Sequence, residues 1–278
     1  MPDQTSTDKE MKAAARRRTL AWAIIGLIAL ILFLLFSPLW PVPFLDKVDC
    51  VGNAVCGRIP DHSLHLADRQ LPLCARCTGT FTGALLGFTG LLLLGKGKAA
   101  QMPPARVLGL LIGFIILMAI DGLNSYLSLL TNTLQLYQPH NFLRLLTGTL
   151  HGVALSIIVF PIFNFTLWKE PDKRPALAGF RDLGLVLLLL ALPVVLIVQA
   201  EIDLLLYPVA IISALGVLTM LTVVNSLMII IAIRREAQAV AWWDAALPIA
   251  LGFAATLIEI AVIVLLRWQF SLTFGIPF

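Results

Sequence analysis

VLGLLIGFIILMAIDGLNSYLSL, residues 107–129, runs for 23 residues with one charge, Asp121. A helix of that length rises roughly 34 Å at about 1.5 Å per residue, enough to cross some ~30 Å of hydrocarbon. The stretch shows no apolar/polar alternation of period two, so a barrel strand is excluded and a helix that satisfies its own backbone is required. Working outward in both directions, six more runs of the same character occur at 20–40, 77–95, 143–168, 183–200, 204–233 and 245–267. The expected fold class is therefore all-α, a polytopic transmembrane helix bundle of about seven spans. Composition agrees: 278 residues, 59% hydrophobic, only 13% charged, with mean hydropathy +0.92. That balance excludes a disordered chain, a collagen-like fibre and a small disulfide scaffold.

The net charge of +4 follows membrane topology and not nucleic acid. Fourteen basic residues fall on one side of the seven spans: Lys9, Lys12, Arg16, Arg17, Arg18, Lys96, Lys98, Arg106, Lys169, Lys173, Arg174, Arg181, Arg234 and Arg235. Six fall on the other: Lys47, Arg58, Arg69, Arg76, Arg144 and Arg267. The positive-inside rule then predicts a cytoplasmic N-terminus and an extracytoplasmic C-terminus. Residues 1–18 read as a cytoplasmic tail and 19–278 as a single transmembrane domain, with 41–76 an extracytoplasmic loop. The first span is too long for a signal-peptide core and is expected to be retained. All six tryptophans lie near expected span ends, as an aromatic belt predicts. The implied location is the cell membrane, multi-pass, with the lipid bilayer as partner and no nucleic acid.

All four cysteines, Cys50, Cys56, Cys74 and Cys77, lie in or at the end of the loop at 41–76. Three readings compete for the same sulfurs. Structural disulfides suit an oxidising compartment. A metal site is the second: Cys74-Ala75-Arg76-Cys77 is a C-x-x-C knuckle that Cys56 and His62, or His65, could complete as a tetrahedral zinc site. Redox chemistry is the third, since a helix N-terminus and Arg76 both favour thiolate. Following the knuckle, Gly79, Gly83 and Gly87 form a small-residue stripe that lets another helix approach closely.

The motifs Cys56-Gly57-Arg58-Ile59-Pro60-Asp61-His62 and Pro72-Leu73-Cys74-Ala75-Arg76-Cys77-Thr78-Gly79, with Asp121-Gly122 and Arg144-Leu145-Leu146-Thr147-Gly148, resemble DUF2085, a family of prokaryotic multi-span membrane proteins. The resemblance covers about residues 50–155. Gly57 stands where the family often has His, and His62 where it often has Arg. The family implies a grouping of these residues and brings no established reaction.

Ionisable groups within a span are costly unless paired or hydrated, so they mark candidate sites. Counting along each helix places Asp121, His151 and Glu259 at one depth in the outer third of the membrane, as candidate proton-transfer groups. Arg58, Arg76, Arg144 and Asn124 are candidate binders of an anionic group, with Arg144 the expected partner of Asp121. His140, Arg144, Thr147 and His151 share one helix face. Together these features point to an outward-facing Cys/Arg/His/carboxylate site. Such a site suits a metal-assisted enzyme acting on an anionic lipid-like or small extracytoplasmic substrate. A proton- or cation-conducting transporter, and a structural or assembly subunit with a stapled loop, are the alternatives.

Overall fold

The structure, a computed structural model, describes residues 16, 19–20, 22–28, 42–131 and 136–275. Its elements are α1 (Phe44–Val55), a 3-10 turn (Pro60–His62), the hairpin β1 (His65–Leu66) and β2 (Arg69–Gln70), α2 (Ala75–Leu93), β3 (Ala99–Gln101), α3 (Ala105–Thr131) and α4 (Asn141–Leu167). They continue with β4 (Asp172–Pro175), α5 (Phe180–Val186), a π-turn (Leu187–Ala191), α6 (Leu192–Gln199), α7 (Leu206–Ala232) and α8 (Trp242–Phe274). The π-turn ends two residues before Pro193, which has no N–H to continue the regular ladder.

Among the described residues, five stretches are long and apolar enough to cross a membrane: Ala105–Ser128, Asn141–Leu167, Phe180–Gln199, Asp203–Ala232 and Trp242–Phe274. The chain is thus a multi-pass, all-α membrane protein, and these five coincide with the third to seventh expected spans. The second expected span, 77–95, corresponds to α2. Its apolarity is diluted by glycine and threonine because its surroundings are protein: Thr78, Gly79, Thr82, Gly83, Gly87 and Gly90 are all buried. Of the first expected span, 20 and 22–28 are helical; residues 29–41, and the expected tail apart from Arg16, lie outside the described residues.

Helix α2 is the central strut, packed chiefly on α4 and next on α7, while α3 covers α4 and α8 covers α7. The α2–α4 seam is set by glycine. A Cβ on Gly79 would overlap the Leu145 carbonyl and one on Gly83 the Thr149 carbonyl. From the other side, Gly148 and Gly152 press on the backbone of Arg76 and Thr80. Backbones this close gain dispersion contacts, the main source of helix association in lipid.

One buried cluster joins α2, α3, α4 and the segment around α5, including Leu91, Leu111, Val153, Ile157, Leu177 and Val186. A second ties the loop onto the bundle: Leu45 and Val48 of α1 and Leu64, Leu66 and Leu71 of the hairpin region meet Val195, Val209 and Ala210. The hairpin turns on Ala67 and Asp68, both at positive φ, as a two-residue turn of the primed type demands. Asp203 pins it by accepting from the Ala67 N–H at 2.7 Å.

One tryptophan departs from the expected belt. Trp168 is only 1% exposed. Its indole N–H donates to Asn164 at 3.0 Å, its ring meets Trp242 edge-on at 4.7 Å, and the Lys98 ammonium sits 3.9 Å above it. It is the keystone of a junction where β3, the end of α4 and the start of α8 meet.

Candidate metal centre

Three of the four cysteines converge. Cys56 ends α1, Cys74 precedes the first residue of α2, and Cys77 sits one turn into it. Their sulfurs all lie within 4.8 Å of one another. Two constraints bring the separate segments together. Gly52 on α1 lies so close to the Pro72 carbonyl that any side chain there would overlap it, which presses α1 onto the strand leading into the knuckle. Arg58, held at φ +46°, turns its backbone N–H onto the Cys56 sulfur at 3.4 Å, and the Cys74 N–H reaches the same sulfur at 3.3 Å.

These donors have an electrostatic consequence. Hydrogen bonds from the Cys74 and Cys77 thiols, then from the backbone N–H groups of Cys74 and Arg58, hold the Cys56 thiol far below the usual thiol range, against the opposing effect of burial. Cys74 is pushed up, first by its bond to Cys56. Three sulfurs so close together suit a thiophilic ion, which binds thiolates and releases their protons. Cys50 stands apart, exposed on α1 with its thiol 3.5 Å from the Asp46 carbonyl.

His62 is not in the sulfur group. Its imidazole lies beside the arginines: burial, then the charges of Arg144 and Arg76, hold it below the ordinary histidine range. The polar network there is continuous. Arg76, the third residue of the knuckle, sends its guanidinium to α3: Nε bonds the Asp121 carboxylate at 3.0 Å, and Nη2 reaches the same carboxylate and the Ser125 hydroxyl, the latter at 2.8 Å. Tyr137 donates to the other Asp121 oxygen at 2.6 Å. Asn124 holds the Tyr137 segment in place, accepting from the Leu136 N–H at 2.7 Å and donating to the Tyr137 carbonyl at 3.0 Å.

Asp121 is therefore paired with Arg76 and not, as expected, with Arg144. Arg144 is 4% exposed and bonds Asn141 at 2.8 Å, the Asp61 carbonyl at 3.3 Å and Ser125 at 3.4 Å. Arg76 meets the Asp121 carboxylate from the first turn of α2, whereas Arg144 touches α3 only at Ser125 and turns its Nη1 to Asn141 and the Asp61 carbonyl. Arg58 is likewise engaged, with Asp49 at 3.1 Å and Asn53 at 3.2 Å. The three arginines expected to bind an anion act in this structure as internal braces.

The expected meeting of Asp121, His151 and Glu259 does not occur. Glu259 is exposed on α8 and accepts from Asn225 of α7 at 3.0 Å, and α8 packs chiefly on α7 whereas α3 packs on α4. His151 lies on α4, and among the described residues its buried Nδ1 has no hydrogen-bond partner. Equal depth along three helices did not mean equal bearing around the bundle. Sequence reasoning passed over Tyr137 and Arg267, the latter donating to the Cys56 carbonyl at 2.7 Å. Neither sits in a motif; a lone arginine at the outer end of an apolar span was the available signal for Arg267.

Comparison with known proteins bears on the same elements. Residues 56–158 match the family described as "Predicted membrane protein (DUF2085)". Over 120 residues the chain is 28% identical to an uncharacterized protein of Methanocaldococcus jannaschii, covering 43% of this chain and 70% of that one. No solved structure matches the chain. The family match starts at Cys56 and ends within α4, so it takes in every sulfur of the cluster and the whole Arg76–Asp121–Tyr137 network. Residues 56–158 of this membrane protein are thus similar to the DUF2085 family, and the candidate metal centre lies inside that stretch.

Proposed function

We propose that this protein holds one thiophilic divalent ion, of which zinc is the natural member, at Cys56, Cys74 and Cys77 on the extracytoplasmic side of the membrane. The observation that carries this is the sulfur triangle, within 4.8 Å on every side, with two backbone N–H groups aimed at one of its corners. Zinc binds thiolates at about 2.3 Å in tetrahedral geometry, and three protein donors leave its fourth position to water or an exogenous ligand. An ion there would act as a Lewis acid toward that ligand.

The chain's own residues support the site from outside. The Arg76–Asp121 pair fixes the knuckle's orientation on α2, and Tyr137 and Ser125 fix the pair. His62, held below the ordinary histidine range by burial and by the charges of Arg144 and Arg76, is the candidate proton acceptor of the loop. This favours metal-assisted chemistry on a small extracytoplasmic or lipid-headgroup substrate. A structural role for the metal is the second reading, favoured by the arginines, whose donors are turned to the protein's own acceptors and not to an open pocket.

Elemental analysis of the purified full chain, with thiols counted after denaturation in chelator, tests the proposal. About one zinc per chain is expected, from a three-thiolate set, together with four titratable thiols. Metal-free protein with fewer thiols would overturn it in favour of disulfides. Cys74→Ser should lose the metal, while Cys50→Ser should keep it.

A further inference from the structure

The cysteine cluster is anchored to a part of the chain far from it in sequence. Arg267 lies near the outer end of α8, and its Nη1 donates to two backbone carbonyls, those of Asn53 and Cys56, the second at 2.7 Å. Both belong to the last turn of α1 and its C-cap. A helix C-terminus leaves its final carbonyls without intrahelical partners and carries partial negative charge, so a guanidinium is suited to close it. A lysine would bring the charge but not the forked planar donors. Cys56 is at once the residue whose carbonyl Arg267 holds and the residue whose sulfur forms one corner of the triangle.

Helix α8 makes this contact informative. It is the longest helix among the described residues, 33 residues, and only 22% of its apolar window is buried. Its main partner is α7, with a smaller contact to α1. A helix so exposed to lipid is held in place by few neighbours, and Arg267 adds hydrogen bonds to its contact with α1.

We propose that Arg267 is a positioning residue for the metal centre: by fixing the Cys56 carbonyl it sets where the Cys56 sulfur stands, and it makes metal affinity depend on the outer end of α8. This rests on the metal reading above. It extends that reading to a spanning helix outside the stretch similar to DUF2085. Residues that orient metal ligands from behind typically change affinity by about 10- to 100-fold when removed.

The test is cobalt titration of the full chain in detergent, following the sulfur-to-cobalt charge-transfer absorbance. Arg267→Ala should raise the dissociation constant by about 10- to 100-fold while reaching the same absorbance at saturation, because all three sulfurs remain. Arg267→Lys should fall between the two. Arg174→Ala, which removes an exposed pair with Asp172, should bind as the unmodified chain does. Amide hydrogen exchange adds a second readout that needs no variant to bind: coupling is reciprocal, so cobalt should slow exchange around 53–58 and around 264–270 together. If cobalt binds with equal affinity to the unmodified chain and to Arg267→Ala, and exchange slows only at 53–58, the role of Arg267 is overturned and the metal site stands. If the unmodified chain gives no charge-transfer band, the metal site itself falls and this inference with it. A variant that does not fold leaves Arg267→Lys and the exchange pattern of the unmodified chain to decide.

Discussion

Arg76 works in two directions. Its backbone belongs to the knuckle and lies against Gly148, while its guanidinium reaches across to Asp121, a side chain only 1% exposed. A buried carboxylate survives because a planar guanidinium, a serine-bound donor and a phenol share its neighbourhood. Tyr137 reports on this arrangement. Burial, and then its hydrogen bond to Asp121, push the phenol from 10.0 up to about 12. The native state thus favours the protonated phenol; its contribution to stability is complete below pH 10 and is lost as pH rises toward 12. Of the three tyrosines, one should ionise late in a phenolate absorbance titration, and Tyr137→Phe should remove that late step and leave the rest of the curve. A single early step for all three would contradict the Asp121 contact. The residue types of this site were legible in the chain from charge and spacing, but their partners were not. Asp121 could be seen to need a cation; which arginine supplied it depended on the direction in which α2 presents its first turn.

At the level of elements, two kinds of glycine serve opposite ends. Gly83 lies where any side chain would overlap the Thr149 carbonyl, whereas Gly109 on α3 has open space around it. Gly83→Leu should therefore force α2 and α4 apart, costing about 1–3 kcal/mol or more from overpacking against backbone that cannot rotate away. Gly109→Ala should be neutral or stabilise by roughly 0.5–1 kcal/mol, since alanine restricts the unfolded chain and favours helix. Thermal unfolding in detergent distinguishes them: a lowered midpoint for the first and an unchanged or raised one for the second. The glycine stripe announced itself in the sequence through its spacing of four. Its partner helix did not, because the matching Gly148 and Gly152 are meaningful only once the two helices are known to lie side by side. Trp168 shows the same limit in reverse. Its place at a span end suggested the headgroup belt, and only the convergence of β3, α4 and α8 turns it into a buried keystone.

Across the whole molecule the packing, with α3 on α4 at one side and α8 on α7 at the other, explains which long-range expectations survived. Hydropathy is a property of single segments, so the membrane-crossing stretches at 107–129, 143–168, 183–200, 204–233 and 245–267 were all readable. The position of one span around another is a property of pairs. Glu259, on α8, bonds Asn225 instead of joining Asp121. The side of the membrane on which the sulfur cluster stands is likewise a whole-chain property, argued from the asymmetry of lysine and arginine. Cys50 provides the means to measure it, being exposed on α1 and outside the cluster. With the N-terminus in the cytoplasm, a membrane-impermeant maleimide should label Cys50 in intact cells, and Cys50→Ser should abolish that label. Burial, Asp49 and Asp46 together raise the Cys50 thiol above its ordinary value, so labelling should be slow at neutral pH and quicken as pH rises through the alkaline range, where the thiolate forms. Labelling that appears only after the membrane is permeabilised would invert the topology and place the metal centre, with its arginine braces, on the cytoplasmic side.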